Sequence, residues 1–371
     1  MAKPGKVLVV YGPRRVGKTT LVKHMLSTYF EKEKNLRTKY YTLDDASVSK
    51  VVDEHTMASL SLLVRGYDVV VFDEAQRSPH IGIALKLLAD SFENTIFIAT
   101  GSSSFGLLQN IGEPLAGRMY MLMHYPFSFN ELSSFTDTIS EKSIVSSRLI
   151  YGSYPETILQ STDSDREMYL DSLIQSYLYK DVLALEGIRK PKLVEDVLTL
   201  LAYQIGQPVN IVEIAKRLEI SKATVKKYID ILCEAFIIVR LTPYSNNLRN
   251  EIHRTERYFF YDLGIRNALI GAFAKIETRN DVGYLWENYC VLERMKYNQR
   301  EDMRARYYFW RTRNQAEVDL VEKHNDHIRA FECKYTEKSP SAKSKKAWGD
   351  LYPSTEIEVI NKDNFVDYVS K

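Results

Sequence analysis

The sequence predicts an α/β protein. A parallel sheet with helices on its faces comes first, a helix-dominated segment follows, and a further α/β segment comes last. Three observations predict this. Short apolar runs at residues 7–11, 40–43, 68–72, 95–99 and 119–123 alternate with amphipathic stretches, which is the rhythm of parallel strands joined by crossover helices. From about residue 163 to 241 the apolar positions move to three- and four-residue spacing, as in Tyr169, Leu173, Ile174 and Tyr177 and again in Leu193, Val197, Leu200 and Leu201, the period of helices. After residue 258 strand-like runs return at 307–311, 317–321, 329–335 and 356–360, preceded by one long helical pattern over 282–297.

A chain of 371 residues exceeds what one compact core usually holds. Boundaries are expected at 1–155, 156–262 and 263–371. Pro126 and the polar stretch 133–140 mark the exit from the first sheet, and the Ser- and Lys-rich stretch 338–346 reads as a loop. Hydrophobic residues at 45% and charged residues at 26% exclude a disordered, collagenous or coiled-coil protein. A net charge of +2 is too small to announce a nucleic-acid partner by itself. Cys233, Cys290 and Cys333 are odd in number and far apart, so neither a disulfide framework nor a CxxC-type zinc site is expected. No signal-peptide core follows Met1, and no apolar run approaches the roughly 18 to 20 residues a membrane helix needs. The expected location is the cytoplasm, with no membrane partner.

Gly12-Pro13-Arg14-Arg15-Val16-Gly17-Lys18-Thr19 fits G-x-x-x-x-G-K-[ST] and lies between a buried strand and a helix starting near Thr20, where a phosphate-binding loop has to lie. Its glycines let backbone N–H groups curl around phosphate, Lys18 brings a positive charge to the β and γ oxygens, and the Thr19 hydroxyl can ligate Mg²⁺. The helix N-terminus adds partial positive charge. Arg14 and Arg15 either touch phosphate or face solvent. The apolar run Val69-Val70-Val71-Phe72 ends in Asp73-Glu74, at the sheet edge where such ligands bind. Asp73 is expected to hold Mg²⁺ through its water shell, with Glu74 as general base on the attacking water. A third strand ends in Thr100-Gly101-Ser102-Ser103, so Thr100 or Ser102 either senses the γ-phosphate or belongs to an ordinary Ser-rich turn. Arg118 either supplies positive charge, in cis or to a neighbouring subunit of a homo-oligomer, or is a surface arginine.

In the helical middle, residues 209–218 and 219–228 read as helix, turn, helix, with Ser221 as N-cap of the second. Residues 236–241 suit a β-wing. In a winged helix that reads DNA, Lys222, Thr224, Lys226 and Lys227 would face the groove; the alternative is a winged helix used only for packing or protein contact. Further on, Asp319 lies on one strand and Glu332-Cys333-Lys334 on the next, and alternation puts Glu332 and Lys334 on one face. Two carboxylates and a lysine can bind Mg²⁺ and activate water against a phosphodiester. Glu287, or Glu293 in its place, offers a further acid from the preceding helix. The competing reading is scattered charge on an ordinary sheet.

Taken together, the chain resembles a family of AAA+-related P-loop ATPases of bacteria and archaea, fused to a winged helix and a restriction-endonuclease-like C-terminal domain. The motifs that carry the resemblance are 11–21, Phe72-Asp73-Glu74-Ala75-Gln76, Thr100-Gly101-Ser102-Ser103, Gly117-Arg118, 126–132, Tyr179-Lys180-Asp181, Trp286-Glu287-Asn288, Phe309-Trp310-Arg311-Thr312, Glu317-Val318-Asp319 and Glu332-Cys333-Lys334. The resemblance implies ATP with Mg²⁺ at Lys18, Thr19, Asp73 and Glu74, and a PD-(D/E)xK-like fold around Glu287, Asp319, Glu332 and Lys334. Under it, Glu287, Asp319 and Glu332 form a metal set, with Glu332 and Lys334 catalytic. ATP over GTP rests on the resemblance alone, since no guanine-reading N-K-x-D is visible.

Two functions are therefore expected to compete. One is an ATP-driven switch acting on DNA with a nuclease-like C-terminal domain. The other is a regulatory, nucleotide-sensing ATPase whose C-terminal domain is inactive and binds DNA or protein. A small-molecule kinase is disfavoured, because the Asp73-Glu74 pair suits water activation and because two domains are added.

Overall fold

The computed structural model describes residues 2–102, 111–112, 114–177, 190–245, 255–336 and 339–370. Ser103, Lys338 and the Tyr179-Lys180-Asp181 motif lie outside the described residues. The described chain divides into two compact units, Met1–Tyr125 with Glu234–Phe236, and Pro126–Cys233 with Ile237–Lys371.

The first unit is built on β1 (Val7–Tyr11), β2 (Thr38–Thr42), β3 (Val69–Asp73), β4 (Ile96–Gly101) and β5 (Met119–Met123). All pairings are parallel, in the order β2-β3-β4-β1-β5. Alternate side chains go to opposite faces. Val7, Val9, Val70, Phe72, Phe97 and Ala99 join one core with helices Ala46–Glu54, Met57–Val64 and Ile81–Ser91. Leu8, Val10, Val69, Val71, Ile96 and Ile98 join the other with helix Lys18–His24 and its π-helical continuation Met25–Glu33. Burial on both faces explains why the central strands are continuous apolar runs rather than alternating ones.

The second unit carries a six-stranded mixed sheet of β6 (Ile238–Pro243), β7 (Arg257–Phe260), β8 (Arg306–Arg311), β9 (Glu317–His324), β10 (His327–Cys333) and β11 (Ile357–Ile360), ordered β11-β10-β9-β8-β6-β7. The expected wing is therefore not a free hairpin. β6 pairs antiparallel with β7 and parallel with β8 through Thr242↔Tyr308 and Pro243↔Phe309, so the strand that ends the helical middle also begins the C-terminal sheet. Residues 126–155, expected with the first segment, also belong to this unit: Phe129 N donates to Glu293 (2.7 Å) and Asn130 Nδ2 to the Val369 carbonyl (2.6 Å). The Ser- and Lys-rich stretch is not all loop. Ser341 caps helix Ala342–Leu351 by accepting from Ser344 N at 3.0 Å, and Trp348 locks that helix edge-on against Trp310, ring centroids 5.2 Å apart.

Helix Val282–Arg300 runs through the middle of this unit with fourteen residues buried. Its buried Asn288, Glu293 and Arg294 side chains are accommodated because they find partners. Asn288 bonds the Phe260 N–H and carbonyl (2.6 and 2.9 Å), Glu293 accepts from Lys296 (2.6 Å), and Arg294 donates to Glu322 (2.7 Å).

Asp262 is buried and caps helix Leu263–Leu269 through Gly264 N (2.9 Å), while its other oxygen accepts from Ser153 N (2.7 Å). The neighbouring Gly152 has φ 73°, and a Cβ there would stand 1.9 Å from the Asp262 carboxylate, so both backbone hand and space require glycine. Burial pushes the Asp262 carboxyl from 3.8 up to about 6, against the opposing pull of those N–H groups. A carboxyl raised in the folded state contributes stability that is fully present below its unfolded value and is lost as pH rises through the folded value. Asp262→Asn should therefore remove up to about 3 kcal/mol of the stability lost between about pH 4 and pH 6. Urea denaturation across that window tests it; identical pH profiles for parent and variant would show that Asp262 is already ionised at the low end.

Candidate functional site

The phosphate-type loop connects β1 to helix Lys18–His24, at the C-terminal edge of the parallel sheet. Arg15 and Gly17 have φ of 57° and 98°, and these left-handed turns curl the backbone. Gly12 admits no side chain, because a Cβ would stand 2.3 Å from the His124 carbonyl oxygen. Lys18 is 6% exposed, and its ammonium donates to the carbonyls of Gly12 (3.0 Å) and Pro13 (2.6 Å). Burial lowers its pKa to about 8, opposed by the charges of Glu74 and Asp73. Pro13 and Val16 are buried, Arg14 and Thr19 half-buried, and Arg15 and Thr20 exposed.

β3 delivers Asp73 to the same edge. Its carboxylate accepts from Thr19 Oγ1 at 2.8 Å, and also from the hydroxyls of Tyr40 and Thr100. Thr19 and Asp73 are thus already close enough to share one divalent ion, and a hydroxyl with a carboxylate is an oxygen donor set suited to Mg²⁺. Glu74 follows with φ 54°; its N–H donates to Thr100 Oγ1 at 3.2 Å, and its carboxylate accepts from Gln76, which also donates to Ser102 Oγ at 3.2 Å. Thr100 therefore links the two acidic residues.

Arg118 stands elsewhere. It precedes β5, its carbonyl accepts from Val7 N (2.9 Å), and its guanidinium pairs with Asp90 at 2.6 Å. Because β5 runs parallel to β1 with Val7 opposite Met119, Arg118 stands level with Lys6 at the far end of the sheet, roughly 20 Å of strand from Gly12. It does not contribute charge to this loop in cis. Sequence reading missed Tyr40, Gln76 and His124. No motif marks Tyr40 or His124, since each reaches the loop or its acids only once the strands are side by side; Gln76 lies in the Phe72-Asp73-Glu74-Ala75-Gln76 motif and bonds Glu74 two residues away, a local contact that was given no role.

In the second unit the C-terminal acids do come near one another, but around a cation already present. Arg257 on β7 pairs with Glu287 (2.9 Å), Glu317 (2.7 Å) and Asp319 (3.5 Å). Asp319 also accepts from Cys333 N at 2.9 Å. Glu332 pairs with Lys334 at 3.1 Å and accepts from Ser341 N at 3.3 Å. Burial raises the carboxyl pKa values of Glu287, Asp319 and Glu332, with mutual repulsion adding to it. Among the described residues no group of three or more His, Cys, Asp or Glu is disposed to hold a metal ion. The expected metal set of Glu287, Asp319 and Glu332 is thus not assembled as ligands, because a guanidinium stands between the first two and a lysine holds the third. Glu293, the substitute for Glu287, is bound by Lys296 and Phe129 N.

Exposed cations do lie on the helix pair Ile211–Arg217 and Lys222–Glu234. Ser221 caps the second by accepting from Thr224 N at 3.0 Å, leaving Lys222, Lys226 and Lys227 exposed. No described helix is long and apolar enough to cross a membrane.

Residues 4–133 match the family model described as AAA domain. Residues 143–276 and 282–368 match two models, each described as a domain of unknown function (DUF8612 and DUF4143). An uncharacterized protein of Mycobacterium tuberculosis is 28% identical over 335 residues, 89% of this chain and 70% of that one. Another, from Methanocaldococcus jannaschii, is 24% identical over 71% of this chain and 62% of its own length. A solved Walker-type ATPase of Pyrococcus abyssi is similar at 16% identity and TM-score 0.49, over 71% of this chain and 91% of that one. With its loop after β1, its Asp-Glu pair after β3 and the strand β4 between them, the first unit carries a P-loop ATPase fold of the AAA type.

Proposed function

We propose that the chain is a Mg²⁺-dependent ATP-binding and ATP-hydrolysing switch protein that acts on DNA. The observation that carries the proposal is the convergence of Lys18, Thr19, Asp73 and Glu74 at one sheet edge, with Thr19 already bonded to Asp73. In this reading Lys18 exchanges its carbonyl partners for the β and γ oxygens of ATP, and the N–H groups of the loop hold the phosphate chain. Thr19 and Asp73 hold Mg²⁺, which neutralises phosphate charge. Glu74, oriented by Gln76, takes the proton of the attacking water. Thr100 is a positioning residue that keeps Asp73 and Glu74 in register.

DNA as partner is supported by the exposed Lys222, Lys226 and Lys227 on the second helix of a helix-turn-helix pair, read as a winged helix whose wing is built into a sheet. The order of helix Val282–Arg300 and strands β8 to β11, with Glu287, Asp319, Glu332 and Lys334 on it, supports a PD-(D/E)xK-like reading of the C-terminal segment. The ion pairs of Arg257 favour the second function, in which that segment is catalytically inactive and serves DNA or protein binding.

The test is phosphate release from ATP with and without Mg²⁺, together with DNA binding and strand cleavage at several salt concentrations. Mg²⁺-dependent turnover with binding that weakens steeply with salt is expected. No turnover in Mg²⁺ would remove the switch, and salt-independent or absent binding would remove DNA as partner.

A further inference from the structure

We infer that Arg257 is the resident cation of the C-terminal acidic cluster: its guanidinium stands where the sequence places a divalent ion, and it keeps such an ion out. This deepens the second function proposed above and rests on its PD-(D/E)xK-like reading.

The guanidinium is divided among three carboxylates, Nη1 to Glu287 (2.9 Å) and Asp319 (3.5 Å), Nη2 to Glu317 (2.7 Å). It therefore bridges the helix Val282–Arg300, through Glu287, to strand β9, the two elements a shared metal would have to join. Arginine suits this place because its planar fork donates to several carboxylates at once and does not lose its proton. Here burial alone would lower its pKa, yet the three acids outweigh burial and hold it charged.

The side chain is also held in place. The Arg257 backbone pairs with Leu241 on β6 and bridges to Pro208 on its other side. Its guanidinium lies over the Phe309 ring, 4.8 Å from the centroid, and the side chain is only 3% exposed. Withdrawal would require unpairing strand β7 or leaving the buried carboxylates of Glu287 and Asp319 without this counter-charge. An ion bound by Glu287 and Asp319 would meet a fixed positive charge at contact distance, and like charges repel strongly in such surroundings. The remaining acid, Glu332, is balanced separately by Lys334. The cluster thus has its cations built into the chain.

The test is Mn²⁺ binding to the full, nucleotide-free chain, followed by electron paramagnetic resonance, for the parent, Asp319→Asn, Arg257→Met and Arg257→Met/Asp319→Asn. Asp319→Asn is expected to leave parental Mn²⁺ binding unchanged within about twofold. Arg257→Met is expected to gain a site at least about tenfold tighter than any the parent has in this cluster, and the double variant to lose it. Parental binding that Asp319→Asn abolishes would overturn the inference, as would an Arg257→Met variant that folds and gains no site. Should Arg257→Met not fold, the parent and Asp319→Asn decide: equal binding upholds the inference and a loss overturns it. Binding of a fluorescent ATP analogue, measured in every variant, reports the loop of the first unit separately, so a failure of the nucleotide reading is told apart from a failure of this one.

Discussion

Replacing Lys18 by Ala should lower ATP hydrolysis by about two to three orders of magnitude, the loss typical of removing one preorganised charge partner from a transition state. The side chain is 6% exposed, so its ammonium acts in a poorly solvated loop where a charge is worth more than in water. Burial brings its pKa to about 8, which still leaves it mostly charged at neutral pH. Its partners, the Gly12 and Pro13 carbonyls, are backbone groups that hold the ammonium inside the loop and can be exchanged for phosphate oxygens. Alanine at this first helical position keeps helix propensity, so the fold of the first unit should persist, as circular dichroism would report. Binding of a fluorescent ATP analogue should weaken together with turnover. Glu74→Gln provides the contrast: turnover lost with binding kept, because the amide cannot take a proton. Parental turnover in Lys18→Ala would place hydrolysis outside this loop.

Arg294→Ala should destabilise the second unit by about 3 to 5 kcal/mol, the loss expected when one partner of a buried ion pair is removed. Arg294 is fully buried. It donates to Glu322 through Nε (2.7 Å) and Nη2 (3.3 Å) and to the Tyr368 carbonyl through Nη1 (2.8 Å). Its guanidinium lies near the Tyr297, Phe331 and Tyr368 rings, with centroids at 4.8, 5.5 and 5.4 Å. Without it, Glu322 keeps only Asn298 Nδ2 at 2.8 Å among these donors and remains a buried charge. Arg294→Met with Glu322→Leu, which removes both charges and fills the space, should recover most of the loss. The measurement is clean because Trp286, Trp310 and Trp348, the three tryptophans of the chain, all lie in the second unit. Tryptophan fluorescence in urea therefore reports that unit's unfolding. A loss below about 1 kcal/mol would mean that the pair is solvated, as surface pairs are.

Much of the first unit is legible in the amino-acid sequence, and the reason is locality. The loop from Gly12 to Thr19 is contiguous, its chemistry is backbone curl plus neighbouring side chains, and the strand before it and helix after it are read from the same few residues. Asp73-Glu74 is legible because a parallel sheet buried on both faces leaves an apolar run that stops abruptly at two acids. Ser221 is legible as a cap for the same local reason. The strand-like runs 307–311, 317–321 and 329–335 fall within a few residues of β8, β9 and β10. The helix Val282–Arg300 outruns its expected end by one turn, because helix ends are set by packing and capping rather than by period.

What the sequence by itself determined, then, is the loop, the acids that face it, the alternation of elements and the candidate charges. Only the tertiary structure decided which charges meet. Arg118 reads as well as any arginine for a phosphate role, but strand direction places it at the far end of the sheet beside Asp90. Arg257 carries no motif; it lies 30 residues from Glu287 and 60 from Glu317 along the chain, and they come together only because β7 adds to the sheet through β6. Tyr40 reaches Asp73 in the same way, across adjacent strands. Sequence spacing determines contacts within one element or one turn. Partners on different strands are chosen by sheet order and register, which depend on how the whole apolar surface is buried.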